Sequence, residues 1–262
     1  MDNHFNITFS NGQIAQAIRV HEPAQLSKAL SKIGLEGPRP ILVVVGGASS
    51  VSEVSLQSMQ KFFVEVLAPI VERLGAYVVD GGTDVGVMQL MGQARAQTGC
   101  TFPLIGVATD GKVALPNQSD PPADSTPLEP NHTHFILIPG EKWGDESPWM
   151  VRVATVLAAG DPSVTVLLNG GEITFQDALY NVIAGRLVLV IAGTGRTADK
   201  LASALHGEPT TDERCKQLVE SGLLQDINIQ DDFNLLAQLI QGLLSNQNQQ
   251  SQLEPNLKFD NF

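Results

Sequence analysis

The sequence predicts an α/β fold with a doubly wound, mainly parallel sheet, helices on both of its faces and a β-hairpin added at the N-terminus. Short apolar runs alternate along the chain with segments of helical periodicity, and that alternation is typical of repeated β-α units. The run Ile41–Val45 is continuously apolar, as expected of a strand that is covered on both faces. With 262 residues, 43% of them hydrophobic, the chain is long enough for one large α/β domain.

Residues 1–40 are expected to form a hairpin and a short helix that pack on the main domain. Apolar residues alternate through positions 5–9, and Asn11-Gly12 favours a type I′ turn. Apolar residues of one parity, beginning with Ile14, indicate a second strand. Residues 23–33 then favour a short helix.

Residues 41–244 are predicted to form the main domain, in which strands and helices alternate. The predicted strands cover residues 41–45, 77–79, 104–108, 133–138, 164–168, 187–191 and 226–229. The predicted helices cover residues 56–74, 84–97, 147–159, 173–184, a segment that follows residue 196, 212–221 and 231–244. Pro69 is expected to interrupt the first of these helices, and Ser147-Pro148 is interpreted as the N-cap and first position of another.

Two polar segments are not expected to join the core. Residues 112–130 are rich in proline, and a loop of that length inside a compact domain is usually a lid, a binding loop or disordered. Residues 245–262 are rich in Asn and Gln, which predicts a disordered and solvated tail.

Charge and composition exclude several classes of function. A net charge of −12 argues against binding to nucleic acid or to an anionic membrane. No apolar run reaches membrane-spanning length, and the N-terminus lacks the features of a signal peptide. Cys100 and Cys215 match no metal or redox motif, so they are expected to be free thiols in the cytoplasm.

Glycine clusters follow four of the predicted strands, and they are the main functional signal of the sequence. Glycine permits positive φ and lets backbone N–H groups approach a phosphate, and the carboxyl ends of parallel strands meet at one edge of a sheet. Arg196 adds a guanidinium that can bind a phosphate bidentately. The ligand-binding residues predicted on this basis are Gly46, Gly47, Ala48, Ser49, Gly81, Gly82, Thr83, Asp84, Gly170, Gly171, Glu172, Thr174, Gly193, Thr194, Gly195 and Arg196.

The alternative interpretation is that these glycines only form βα turns and that Arg196 lies on the surface, paired with Asp199 or solvent. The sequence contains neither the GxGxxG dinucleotide fingerprint nor a GxxxxGK[ST] P-loop. A phosphate-containing small molecule therefore remains the expected ligand, and the sequence does not identify a particular cofactor.

Residues 41–205 resemble the SLOG superfamily, and within it the prokaryotic LSDAT type, which is similar to the N-terminal cytosolic region of TRPM channels. The resemblance rests on the order and spacing of "GGTDVGVMQLMG", "LEPNHTHFILI", "PSVTVLLNGGE" and "LVLVIAGTGRTADKLA". It implies a Rossmann-like fold and a sensing or binding role for a nucleotide-derived ligand such as ADP-ribose, another NAD-derived molecule or a nucleotide sugar. A homo-oligomer and an effector protein remain open as partners.

The LOG branch of the superfamily implies an enzyme instead, a nucleoside-monophosphate phosphoribohydrolase with the motif PGGxGTxxE. The corresponding stretch here is "NGGEITFQD", in which Asn169, Ile173 and Asp177 depart from the motif. Asp177, one methylene shorter than glutamate, is the catalytic candidate only if the chain is a hydrolase, and the departures argue against that activity. An interaction domain without a small ligand is a third alternative.

Histidines and tryptophans give weaker signals. His132 and His134 are expected on one side of a strand, as hydrogen-bonded or semi-exposed residues. A metal pair is one alternative, and the resemblance implies a pocket-lining role as another. Trp149 is assigned to the core, and Trp143 is left open as a ring that could stack on a base.

Carboxylates near the glycine clusters have similar alternatives. Asp80 or Asp84 could bind a ribose hydroxyl, and Asp84 is equally well explained as a helix N-cap. Glu141, Asp145 and Glu146 are expected to form a solvated acidic loop, with Mg²⁺ for a pyrophosphate as a minor alternative.

Overall fold

The computed structural model describes residues 4–245 as an α/β domain built on a nine-stranded sheet. The strands are β1 (His4–Thr8), β2 (Ile14–Arg19), β3 (Ile41–Gly46), β4 (Tyr77–Asp80), β5 (Leu104–Thr109), β6 (Val113–Ala114), β7 (Thr126–Pro127), β8 (His134–Ile138), β9 (Ser163–Leu168), β10 (Leu187–Ala192) and β11 (Leu224–Asn228). The helices are α1 (Leu26–Lys32), α2 (Glu53–Phe62), α3 (Ala68–Leu74), α4 (Gly86–Thr98), α5 (Ser147–Ala158), α6 (Glu172–Ile183), α7 (Arg196–Leu205), α8 (Glu213–Glu220) and α9 (Phe233–Ser245). The predicted fold class is confirmed.

The order of strands places a topological switch point at the centre of the sheet. Along the sheet the strands run β1-β2-β8-β5-β4-β3-β9-β10-β11, and β1 is the one that runs antiparallel to its neighbour. From β3 the chain winds outward through β4, β5 and β8, and it then returns to β9 on the other side of β3. In open α/β sheets a crevice for ligands forms at such a point, beyond the carboxyl ends of the strands.

Helices cover both faces of the sheet, which explains the continuous apolar run of β3. Ile41, Val43 and Val45 face one layer, formed by α1 and α5 to α8, while Leu42 and Val44 face the other, formed by α2 to α4 and α9. All five side chains are at most 2% exposed. At about 25 cal/mol per Å² of apolar surface removed from water, these two layers are the main source of stability.

Three local predictions are corrected by the structure. The first hairpin turns through a three-residue loop, with Gly12 at φ 82° and the Gly12 N–H donating to the Phe9 carbonyl, so it is not a type I′ turn. Ile14, at the start of the second strand, is 62% exposed, whereas Ile18 and Val20 of the same parity are buried on one face of the sheet and Ala15 and Ala17 on the other. The interruption expected at Pro69 is a π-helical turn, Phe63–Leu67, that directly precedes α3.

Two predicted helix caps are also wrong. Residue 147 is the first residue of α5, whose N-cap is Glu146, and the Ser147 hydroxyl is used elsewhere. The N-cap of α4 is Val85, so Asp84 does not cap that helix; its carboxylate accepts a hydrogen bond from Gln89 instead.

The proline-rich loop is attached to the sheet at its end. Strands β6 and β7 form a small parallel pair, and Leu128 is buried and forms a β-bridge with Thr83. The Glu129 N–H donates to the Gly82 carbonyl at 3.0 Å. The loop therefore contacts the glycine turn after β4 and is not a wholly irregular segment. The expected tail, residues 245–262, lies outside the described residues except for Ser245, which is the last residue of α9.

In the part of the chain that the structure describes, none of the helices combines the length and apolar character needed to span a bilayer.

Candidate ligand-binding site

A cavity of about 460 Å³ opens at the carboxyl edge of the sheet, at the switch point between β3 and β9. Its volume lies within the range of small-molecule sites. Ten of the residues predicted from the sequence line it: Gly46, Gly47, Ser49, Gly81, Thr83, Gly171, Glu172, Thr174, Asp177 and Arg196. The other predicted residues, Ala48, Gly82, Asp84, Gly170, Gly193, Thr194 and Gly195, are not among its lining residues.

Glycine is required at the first of these turns by close backbone contact. Gly46 has φ 132°, and a Cβ at this position would overlap the Leu168 carbonyl oxygen on the neighbouring strand. Gly82 has φ 68°, and a Cβ there would lie 2.8 Å from the Cα of Gly106. These glycines therefore shape the edge of the sheet, whether or not their own atoms meet a ligand.

Helix α6 presents its open N-terminus to the cavity. Gly171 is the N-cap, and the Thr174 hydroxyl accepts a hydrogen bond from the Gly171 N–H at 3.2 Å. Among the described residues, nothing accepts a hydrogen bond from the N–H groups of Glu172 and Ile173, the first two residues of the helix. Unpaired N–H groups at the positive end of a helix dipole attract anions.

Helix α7, in contrast, has an occupied N-terminus. The Ala198 N–H donates to the Asn169 carbonyl at 3.0 Å, and the Thr197 N–H donates to the Gly170 carbonyl at 3.4 Å. The Gly193 N–H is taken by the Asp199 carboxylate at 2.7 Å. The N–H groups of Gly193, Thr197 and Ala198 are thus bonded within the protein, and they are not open donors for a ligand.

Hydrogen bonds between Asn169 and Thr194 connect the turn after β9 to the turn after β10. The Thr194 hydroxyl donates to the Ile191 carbonyl at 2.6 Å and accepts from the Asn169 N–H at 2.8 Å. Asn169 is buried with φ 50°, its side-chain amide donates to the Thr194 carbonyl, and its Oδ1 has no hydrogen-bond partner. The Thr194 hydroxyl is therefore hydrogen-bonded within the protein as both donor and acceptor.

Arg196 is the cationic residue that lines the cavity. Its guanidinium donates to the Ser49 hydroxyl and lies against Gly171, where a Cβ would be 3.0 Å from Nη2. The side chain is exposed, and within residues 4–245 it has no carboxylate at ion-pair distance. The alternative pairing with Asp199 is not observed, so the positive charge remains open to the cavity.

Asp177 and Glu146 also line the cavity. Asp177 is 6% exposed, and its Oδ1 accepts a hydrogen bond from the Ser147 hydroxyl at 2.6 Å. Burial, with the negative charge of Glu146, raises the pKa of Asp177 to about 7, although the bond from Ser147 works in the opposite direction. The Asp177 carboxyl is therefore partly protonated at neutral pH.

Glu146 is half-buried, which corrects the expectation of a fully solvated acidic loop. Its Oε2 accepts hydrogen bonds from the Thr109 hydroxyl at 3.0 Å and from the Gly144 N–H at 2.9 Å. Burial and the nearby Asp145 raise the pKa of Glu146. The sequence placed this residue in an acidic loop, with Mg²⁺ binding as a minor alternative, but gave no signal of its burial.

Below the cavity, a buried histidine joins the end of the proline-rich loop to the turn after β4. His132 Nε2 lies 2.8 Å from Asp80 Oδ1, and His132 Nδ1 lies 2.8 Å from Glu129 Oε2. Since both ring nitrogens face carboxylate oxygens, both must donate, and the ring is an imidazolium. Burial would lower the pKa of His132, but the two carboxylates outweigh it and raise that pKa to about 9. Asp80 is fully buried here, and its Oδ1 also accepts from the Gly82 N–H, while its Oδ2 has no hydrogen-bond partner among the described residues.

His134, the first residue of β8, lies in a different environment from His132. Its Nε2 lies 3.0 Å from the Ile33 carbonyl, and burial lowers its pKa to about 4. The described residues contain no group of His, Cys, Asp and Glu side chains arranged to hold a metal ion. The structural reading of the two histidines fits these contacts, although they do not share one face.

The two tryptophans lie in different environments. Trp149 is 8% exposed and packs in the core, whereas Trp143 is 39% exposed and lines the cavity. Met150 and Ile173 add an apolar wall beside it.

Comparisons with known proteins identify the family of the chain. The family model described as SLOG in TRPM, prokaryote, matches residues 39–237. A transient receptor potential cation channel subfamily M member-like 2 of Nematostella vectensis is 28% identical over 215 residues, which cover 67% of this chain and 14% of that protein. The subfamily M member 2 channels of Mus musculus and Rattus norvegicus are 28% and 27% identical over 206 residues, which cover 64% of this chain and 13% of each channel. The chain thus spans only a small part of the length of these relatives.

Proposed function

We propose a function for this chain, which belongs to the family SLOG in TRPM, prokaryote. The proposed function is that of a domain that binds and senses a nucleotide-derived, phosphate-containing ligand. Candidate ligands are ADP-ribose, another NAD-derived molecule or a nucleotide sugar. The observation that carries the proposal is the convergence of the open α6 N-terminus and the unpaired Arg196 guanidinium on one cavity at the switch point of the sheet.

A phosphate fits the cationic side of this cavity. The free N–H groups of Glu172 and Ile173 supply donors, the Ser49 hydroxyl is held nearby by Arg196, and Arg196 supplies a fixed charge with a planar set of donors. The chain as a whole carries −12, so this local site would draw a small anion without attracting a polyanion.

A nucleoside fits the other walls. Trp143 is exposed beside Met150 and Ile173, and a base can stack on an aromatic ring next to apolar side chains. We place this role in the cytoplasm, because Cys100 and Cys215 are free thiols.

The experiment is a thermal-shift screen with ADP-ribose, NAD, AMP, cyclic nucleotides and CDP-sugars, followed by isothermal titration with each compound that stabilises the protein. Arg196→Ala should weaken binding by roughly ten- to a hundredfold, because a hydrogen bond to a charged group contributes about 1.5–3 kcal/mol. Arg39→Ala is the matched control, since Arg39 is exposed and precedes β3 at the opposite edge of the sheet. Equal affinities of the Arg196→Ala and wild-type proteins, or no stabilisation by any phosphate compound, would refute the proposal.

A second candidate function is hydrolysis of an N-glycosidic bond, which one observation favours. Asp177 occupies the position of the glutamate in the LOG motif, lines the cavity and has a pKa of about 7, which suits a group that transfers protons. Incubation with nucleoside monophosphates decides between the two functions. Release of free base that is lost in Asp177→Asn would make the chain an enzyme, and binding without release would leave it a sensor.

A further inference from the structure

We infer that Arg214 is a positioning residue for the anion site: it holds the Glu172 carboxylate and so keeps the positive charge of Arg196 open to a ligand. Without Arg214, the Glu172 carboxylate pairs with Arg196 and competes with the ligand's phosphate. The inference rests on the proposed function, because it takes the phosphate to lie at Arg196 and the α6 N-terminus. It adds a control of that site by α8, a helix whose residues are not among those that line the cavity.

Glu172 places a negative charge where the proposed ligand carries its own. It is the first residue of α6, it lines the cavity, and it directly follows the N-cap Gly171. The Arg196 guanidinium lies against Gly171, where a Cβ would be 3.0 Å from Nη2. A glutamate beside this turn is therefore a natural partner for Arg196, and a phosphate would have to displace it.

In the structure, however, the Glu172 carboxylate is bound by Arg214. The Arg214 Nη1 donates to Glu172 Oε2 at 2.5 Å. The hydrogen bond from Arg214 and its charge lower the pKa of Glu172, so this carboxyl group is ionised at neutral pH. Within residues 4–245, Arg196 has no carboxylate at ion-pair distance. The open charge of Arg196 therefore depends on the engagement of Glu172 elsewhere.

Arg214 is itself fixed by its surroundings. Its Nε and Nη2 donate to the two oxygens of Asp212 at 3.0 and 2.8 Å, which is a bidentate pair. Its Cζ lies 4.1 Å from the centroid of the Phe175 ring on α6. Buried Cys215 and Leu218 anchor α8 in the core. A guanidinium held in this way binds Glu172 at a smaller loss of side-chain entropy than an isolated surface arginine would.

The other charged groups around Glu172 leave Arg196 as its alternative partner. Lys200 on α7 favours the ionised carboxylate, and Asp212 opposes it. Lys200 is not among the residues that line the cavity, whereas Arg196 lines it together with Glu172. Because Glu172 is exposed, an ion pair with Arg196 should lower the affinity for a phosphate compound by about three- to fivefold.

The first test is isothermal titration with ADP-ribose and with inorganic pyrophosphate, near neutral pH and at low ionic strength. Arg214→Ala and Arg214→Met should both weaken binding by about three- to fivefold, and high salt should reduce this loss. Met keeps an apolar stem over Phe175, and the melting temperature of each variant shows whether the fold is intact. Adding Glu172→Gln should restore the affinity to within about twofold of wild type.

Two controls separate the position of Glu172 from a general effect of charge. Adding Asp212→Asn to Arg214→Ala restores the same net charge as Glu172→Gln does, and Asn still suits the N-cap of α8. This double variant leaves Glu172 ionised, so it should bind as weakly as Arg214→Ala. Lys216→Ala removes a cation of the same helix that pairs with Glu213, and it should bind as wild type.

The second test needs no ligand. The pKa of Glu172, measured by NMR titration of its carboxyl group in the Arg214→Met protein, should rise when Arg196→Ala is added, because Arg196 is then its partner. An unchanged pKa on adding Arg196→Ala would refute the inference.

The outcomes distinguish this inference from the proposed function. If both compounds bind through Arg196 but the Arg214 variants bind as wild type, or if Asp212→Asn restores binding as well as Glu172→Gln, positioning by Arg214 is refuted and the phosphate site stands. If neither compound binds the wild-type protein, the phosphate site is refuted for these compounds and the role of Arg214 falls with it.

Discussion

Replacing Asp177 by Asn should stabilise the protein, and the gain should grow as the pH rises. In the folded chain the pKa of Asp177 is about 7, against about 3.9 for an aspartate in an unfolded chain, and this difference corresponds to at most about 4 kcal/mol. The folded state holds its proton where the unfolded state has lost it, so the wild-type protein loses stability as the pH rises from about 4 to 7. Asn resembles the protonated carboxyl group and can still accept the bond from Ser147.

The assay is urea denaturation of both proteins from pH 4.5 to 8.5, because other titrating groups cancel in the difference between them. The free energy of unfolding of Asp177→Asn should exceed that of wild type by little at pH 4.5 and by up to about 4 kcal/mol at pH 8 and above. Asp161→Asn controls for the loss of one negative charge from an acidic chain and should show a difference that hardly varies with pH. A stability difference for Asp177→Asn that stays constant, or that shrinks as the pH rises, would contradict the burial argument.

Three further predictions concern the buried groups around the cavity. Wild-type protein should have stability from the His132 imidazolium that is fully present below pH 6.5 and is lost as the pH rises through about 9. Replacing His132 by Gln should remove this contribution, which lowers the free energy of unfolding in urea denaturation by about 3 kcal/mol at low pH. Equal pH profiles of the two proteins would show that the imidazolium is absent. Gly92→Ala should destabilise the protein in thermal denaturation although alanine favours helices, because its Cβ would overlap the Glu129 carboxylate that holds His132; a rise in melting temperature would contradict this contact. Ser147→Ala should raise the pKa of Asp177 further, measurable by NMR titration of the carboxyl group, and an unchanged pKa would show that the hydroxyl is not its donor.

Much of the fold could be predicted because the signals that define it are local. The run Ile41–Val45 predicts a strand that is buried on both faces, and the glycine turns indicate the carboxyl edge of the sheet. Parallel pairing of β3, β4, β9 and β10 then brings the four turns to one edge. Local sequence also fixed the approximate bounds of most helices, since their apolar periodicity is long enough to be unambiguous.

The site was harder to predict because its decisive contacts join residues that are far apart in sequence. Ser147 looks like an N-cap in the sequence, but its hydroxyl donates to Asp177, thirty residues later in the chain. The N-cap of α5 is Glu146 instead. The N–H groups of Thr197 and Ala198 in α7 look free in the sequence, yet they donate to the carbonyls of Gly170 and Asn169. Both errors arise from treating a helix terminus as an isolated unit when tertiary partners compete for the same groups.

The energetics of Asp177 argue that its place in the cavity serves binding more than folding. A buried carboxyl group without a cation lowers stability at neutral and higher pH, and an asparagine would fill the same space without that loss. Proteins tolerate such losses mainly where function requires the group, and perturbed carboxyl groups in a cleft are typical of functional sites. A ligand that donates hydrogen bonds to Asp177 would return part of the lost free energy, in addition to the stabilisation that any binding gives by mass action. The stability of the bound protein should therefore depend less on pH above 7 than that of the free protein, and a sugar-bearing ligand that leaves this dependence unchanged would show that Asp177 does not meet it.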